Sequence, residues 1–188
     1  MPRIEKKKTQ YNNLIIGALN TYINFSSVNF NKIEYLNLVN AYYVTDIPEQ
    51  FSNLKELYIN NTPIKFLPKY LDQLEVLRIA GNDFIPEIPD NYTNIYKLII
   101  FNANNIKEIP KTFTNLEKLI IGNCKYLNED MAEYFKISFP NLKTLKIDEK
   151  IFLSNDDWLY PLDIIINIFK VIYMNKKMNY KIRLFIIF

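Results

Sequence analysis

The chain has 188 residues, 49% hydrophobic and 15% aromatic, with a formal net charge of +3. That length fits one domain with an elongated core, and so small a charge surplus does not by itself imply a nucleic-acid partner. Histidine is absent and cysteine occurs once, which excludes a Ser-His-Asp triad, a Cys-His pair, an internal disulfide and zinc sites built on His or several Cys.

Met1–Gln10 carries Lys6, Lys7 and Lys8 and reads as a solvated basic tail. The apolar stretch Leu14–Leu19 is shorter than the roughly 7–15 residues of a signal-peptide core. Together with the lone Cys124, this leads us to expect an intracellular, reducing environment. Only three glycines occur, and Asn, Ile, Lys, Tyr and Phe are abundant. That bias favours AT-rich codons, as in a giant DNA virus or a protist; a viral chain would then act inside its host cell.

From Tyr11 a spacing L-x-x-L-x-L recurs. It opens weakly at Tyr11/Leu14/Ile16 and strongly at Ile33/Leu36/Leu38, Leu54/Leu57/Ile59, Leu74/Leu77/Ile79, Ile95/Leu98/Ile100, Leu116/Leu119/Ile121 and Leu142/Leu145/Ile147. The starts lie 22, 21, 20, 21, 21 and 26 residues apart, and such a period outweighs any local propensity. A second column fixes the register: Ile47-Pro48-Phe51, Leu67-Pro68-Leu71, Ile88-Pro89-Tyr92 and Ile109-Pro110-Phe113. The last two apolar residues of L-x-x-L-x-L alternate with other types, as in a short half-buried strand. Proline lacks the backbone donor a central strand needs, so the chain turns and returns along the other side. One unit buries too little to order itself, and stacked units share their core.

The pattern resembles the leucine-rich-repeat family, L-x-x-L-x-L-x-x-N-x-L followed by I/L-P, over about Tyr11–Phe152. The resemblance implies an α/β, right-handed solenoid, with a parallel sheet on the concave side and short 3₁₀ or extended segments on the convex side. The family's ladder slot, usually Asn, Cys or Thr, here holds Leu19, Ala41, Thr62, Asn82, Ala103, Cys124 and Lys150. The alanines predict irregular turns at Ala41 and Ala103, with Asn40, Asn102 or Asn104 substituting from adjacent positions. Cys124 reads as a buried ladder thiol.

The unit after Cys124 is longer. Asn128 caps a predicted α-helix whose face carries Leu127, Met131, Tyr134 and Phe135, and Pro140 ends it. Repeats are therefore expected over 11–153, with the first one capping. Residues 154–188 are expected to form a helical C-terminal cap and an apolar tail, Tyr180–Phe188. Asp163 and Lys170 argue against a membrane span there, and the tail reads as packed on the cap or as a homo-oligomer contact in a chain otherwise monomeric.

No catalytic constellation or cofactor motif is present, so the expected role is non-catalytic binding. Residues between the core positions of each strand share one face. Tyr35, Asn37, Val39, Tyr58, Asn60, Val76, Arg78, Ile99, Phe101 and Ile120 make that face apolar and aromatic around an arginine. Such a patch, if exposed, is typical of a protein-binding hot spot. The alternative for the face is that the C-terminal tail covers it. The alternatives for the role are substrate recognition in a ubiquitin-ligase or effector system, an analogy at the level of the fold alone, and membrane-peripheral binding through Lys6–Lys8 and the apolar C-terminal segment.

Overall fold

The computed structural model describes residues 13–16, 25 and 28–147, apart from the side chain of Ile15. Among them lie seven strands: β1 Asn13–Ile16, β2 Tyr35–Val39, β3 Glu56–Asn60, β4 Val76–Ala80, β5 Lys97–Phe101, β6 Lys118–Gly122 and β7 Thr144–Ile147. They form one sheet in chain order, every neighbouring pair parallel. From β2 to β7 each strand is joined to the next by a described return segment that brings the chain back to begin it, and the result is a solenoid.

The register follows the repeat. Leu36, Leu57, Leu77, Leu98, Leu119 and Leu145 pair strand by strand, as do Leu38, Ile59, Ile79, Ile100, Ile121 and Ile147. These two rows point inward and, apart from the half-buried Leu145, are buried. The return segments supply the opposite wall. Ile47, Leu67, Ile88 and Ile109 are buried, and so are Phe51, Leu71, Tyr92 and Phe113 three residues after each proline. The prolines sit in no strand, as a residue without an N–H requires. At the N-terminal end of the described core, Phe25 and Phe30 pack edge-on against Phe51, with ring centroids 6.2 and 4.8 Å away.

The turn after each of β2 to β6 is built alike. Asn40, Asn61, Gly81, Asn102 and Asn123 all have φ between 46° and 58°, a left-handed conformation that Gly and Asn tolerate best. The N–H groups of Asn40, Asn61, Gly81 and Asn102 donate to the carbonyl of Asn60, Ala80, Phe101 and Gly122 in the next repeat. The predicted irregularity at Ala41 and Ala103 is therefore absent. The turn is set one position earlier, by an asparagine, and the buried alanines only fill space. Asn40 and Asn102 also accept from the Asn61 and Asn123 amides, and Asn104 Oδ1 accepts from Lys125 N–H, so all three candidate substitutes form inter-repeat bonds.

In the ladder slot itself Asn82 is fully buried. Its amide donates to the carbonyls of Thr62 and Ile64 at 3.1 Å, and its oxygen accepts from Phe84 and Ile85 N–H at 2.9 and 3.1 Å. A second asparagine column, just before the first aliphatic of the unit, has no counterpart in the sequence reading. Asn53, Asn94, Asn115 and Asn141 donate to the carbonyls of Asn31, Asp72, Thr93 and Thr114.

The long unit after β6 contains the predicted helix. Asn128 Oδ1 accepts from Asp130 N–H at 3.1 Å, a 3₁₀ turn runs over Glu129–Met131, and α1 follows at Ala132–Ser138. Leu127 and Phe135 are buried in the common core, with Met131 and Tyr134 packed against it. The basic tail, the helical C-terminal cap and the apolar tail expected at 154–188 lie outside the described residues.

Two substitutions test this account by denaturant unfolding. Asn82→Ala strands several buried backbone groups at once and is expected to cost on the order of 3 kcal/mol. Asn102→Gly should be nearly neutral, whereas Asn102→Val should cost at least about 1–2 kcal/mol for a Cβ-branched residue in the left-handed region. Equal effects of the two changes at Asn102 would contradict the turn assignment.

Candidate binding face

The strands present their other side chains on the sheet face that points away from the core. The pairing makes three columns there. The first holds Tyr35, Glu56, Val76, Lys97, Lys118 and Thr144; the central one Asn37, Tyr58, Arg78, Ile99, Ile120 and Lys146; the third Val39, Asn60, Ala80, Phe101 and Gly122. Every residue singled out from the sequence lies in one of these columns. A period of two residues per strand repeat requires this once the strands pair in register.

The ends of the face differ in chemistry. Around β2 and β3 it is polar and aromatic. The Tyr35 and Tyr58 rings tilt against each other at 5.1 Å, the Asn37 amide donates to the Tyr35 hydroxyl at 3.1 Å, and the Tyr58 hydroxyl donates to Glu56 Oε2 at 2.9 Å. Around β5 and β6 it is aliphatic. Ile99 and Ile120 form a small cluster of their own, separate from the main core, with Phe101 packed against it. The Phe101 ring also lies over Gly122, where a Cβ would meet it at 2.3 Å. Gly122 thus gives the ring its seat.

Exposure does not follow the sequence expectation. Val39, Asn60, Tyr35 and Phe101 are half-buried, and the central column is closed off: Asn37 is 2% exposed, Tyr58 7%, Arg78 3%, Ile99 1% and Ile120 0%, with Val76 beside them at 4%. The apolar row is present but is no open patch. Alternation along a strand tells which face a side chain takes; it carries no information about what lies across that face. The side-chain oxygens of Asn37 and Asn60 are buried without a hydrogen bond.

Among the described residues the most exposed aromatics lie elsewhere, at Tyr42 and Phe84 in the turns after β2 and β4 and at Phe66 and Tyr70 on a return segment. Phe66 and Tyr70 line a surface depression together with Ile88 and Pro89. They fall between core positions of the repeat, and reading only the strand columns misses them. Cys124 is buried in its ladder slot, with the thiol 3.4 Å from the Gly122 carbonyl. Among the described residues no three side chains of metal-ligating type come together, and no helix is long and apolar enough to cross a membrane.

Comparison of the chain with models of known protein families, and with curated proteins, gives no match.

Burial, then the Glu56 carboxylate and Tyr35, pushes the Tyr58 phenol far above its ordinary value of 10. Burial, then Glu49 and Asp72, does the same for Tyr92, whose hydroxyl donates to the Pro68 carbonyl. Both shifts favour the protonated, neutral phenol in the folded chain. The stability they contribute is intact below pH 10 and is lost as pH rises above it. Ultraviolet titration should show the phenols of Tyr58 and Tyr92 ionising only as the chain unfolds. Tyr58→Phe and Tyr92→Phe should each remove one of them and lessen the alkaline loss of stability.

Proposed function

We propose that this chain is a leucine-rich-repeat protein of the I/L-P type that serves as a non-catalytic scaffold, binding a protein partner through the outer face of its sheet. The family reading is supported by the in-register aliphatic rows, the buried Ile/Leu-Pro returns and the Asn82 ladder residue. In that family's geometry the outer columns make the concave wall. The reduced, buried Cys124 supports placing the protein in a reducing, intracellular compartment.

The observation that carries the binding role is the composition of one rigid face. Tyr35, Tyr58, Phe101 and Arg78 are of the types that dominate protein–protein hot spots, and they are spread over strands whose backbones cannot shift independently. Ile99 and Ile120 add an aliphatic centre, and Lys97 and Lys118 a cationic border. The strands hold these side chains in fixed register, which limits the entropy lost in ordering them on binding, and because the central column is buried a partner reaches it only when that face opens.

Paired substitutions test the assignment of the face. Lys97→Glu with Lys118→Glu reverses the border and leaves the inward rows intact. It should abolish capture of the specific partner from host extract in a chain that still unfolds cooperatively. Phe66→Ser with Tyr70→Ser, on the return side, should leave capture unchanged. Capture that survives the first pair and fails with the second would move the binding site to the return-side depression and sink the present reading.

A further inference from the structure

We propose that the return-side depression is a second binding site, independent of the sheet face, and that it takes a basic, proline-rich segment of another protein in the extended polyproline II conformation. The depression has a volume of about 830 Å³. Its apolar part is Phe66 and Tyr70, 67% and 66% exposed, beside Pro86 and Pro89. Exposed apolar surface gathered in a depression, rather than scattered singly, marks an interaction site. The site is also rigid. Lys69 N–H donates to both oxygens of Glu49 at 3.0 and 2.8 Å, the Asn91 amide donates to the Lys69 carbonyl at 2.6 Å, and the Thr112 hydroxyl donates to the Asp90 carbonyl. Each return segment is thus bonded to the one before it, and little ordering entropy is lost when a ligand arrives.

The surroundings select the conformation of the ligand. β3, β4 and β5 are each paired on both sides, and proline removes backbone donors from the return segments. A peptide therefore cannot join this surface as an added strand. A polyproline II segment has no ladder to complete and arrives with its backbone already ordered. Its ring and aliphatic side chains pack on surfaces lined by aromatics.

One slot of the repeat selects the charge. The residue before the aliphatic-proline pair is Phe66, then Glu87, then Glu108, and all three line the depression. At the strand spacing of about 4.8 Å, a ligand lying across the repeats meets a ring and then two carboxylates over about 10 Å. One polyproline II turn rises roughly 9 Å. With Glu49 and Asp90, four acids line the depression against Lys69 and Lys111, in a chain whose net charge is +3. Lys111 Nζ stands 5.5 Å from the Tyr134 ring centroid. Glu87, Asp90 and Glu108 enter no ion pair among the described residues. Their complement is a cationic side chain flanking the prolines.

The probe is a fluorescent oligoproline peptide with arginines at both ends, titrated with the full chain and followed by anisotropy. Binding should saturate, and it should weaken as salt rises. Phe66→Ser with Tyr70→Ser should weaken it at least about tenfold, and Glu87→Lys with Glu108→Lys should do so at least about tenfold as well. All four side chains are exposed, so the circular dichroism melts of both variants should match that of the unaltered chain. Lys97→Glu with Lys118→Glu, on the sheet face, should bind the peptide as the unaltered chain does. Failure to saturate would overturn the proposal, and so would an unchanged affinity in either return-side variant. Equal binding of an oligoproline ending in glutamates, or of a glycine-serine peptide with the same arginines, would overturn it too. Loss of binding in the sheet-face variant would place the peptide on the strands and have the same consequence. The capture test reads a different ligand, so failure here leaves the sheet-face reading standing.

Discussion

The structure depends on the in-register parallel ladder between copies of one unit. The backbone groups of each strand, and the N–H of the left-handed residue after β2 to β5, find partners only in the adjoining copy. A single unit would leave those groups unpaired and both ends of its core layer open, at a cost far beyond its own apolar burial. From this constraint come the fixed spacing, the straight inward rows and the stacked asparagine columns. A side-chain amide that bonds the same atoms in the copy before it has to recur at the same place.

The ladder also explains where variation is tolerated. The ladder slot accepts Ala41 and Ala103 because the turn is already made by Asn40 and Asn102. The unit after β6 accepts extra residues, and they become α1, because insertion on the return side leaves the strand register intact. Along the strand-entry edge, Lys55 pairs with Glu34 and Lys143 with Glu117 at 3.5 and 2.7 Å. These exposed pairs contribute little beside the backbone bonds that run through the same residues.

The proposed function rests on the face the ladder leaves over. The inward rows are committed to the core and the return segments are tied down by proline and buried aromatics. The outer columns are the part of each strand free to differ, and there Asn37, Tyr58, Arg78 and Ile99 follow one another with a different type in each repeat, before Ile120 repeats the isoleucine. A scaffold that repeats its core and varies its wall is suited to recognition. The burial of that wall places access to it, rather than its chemistry, at the centre of any account of binding.

The spacing of aliphatics and prolines determined the strands, their order, the inward rows and the helix at Asn128, because those follow from periodicity and from the missing N–H of proline. It also determined which side chains share the outer face, since two residues per strand repeat leave no other choice. The turns were legible only in part. Asn40 and Asn102 were visible as candidates, but that they set a left-handed turn independent of the ladder slot depends on backbone angles. The asparagine column through Asn53, Asn94 and Asn115 was present in the letters, yet its bonds join residues about 22 apart. Tertiary structure alone decided that Asn37, Arg78 and Ile120 lie buried, because solvent access is a property of everything packed around a residue, and a strand's alternation encodes only its own two sides.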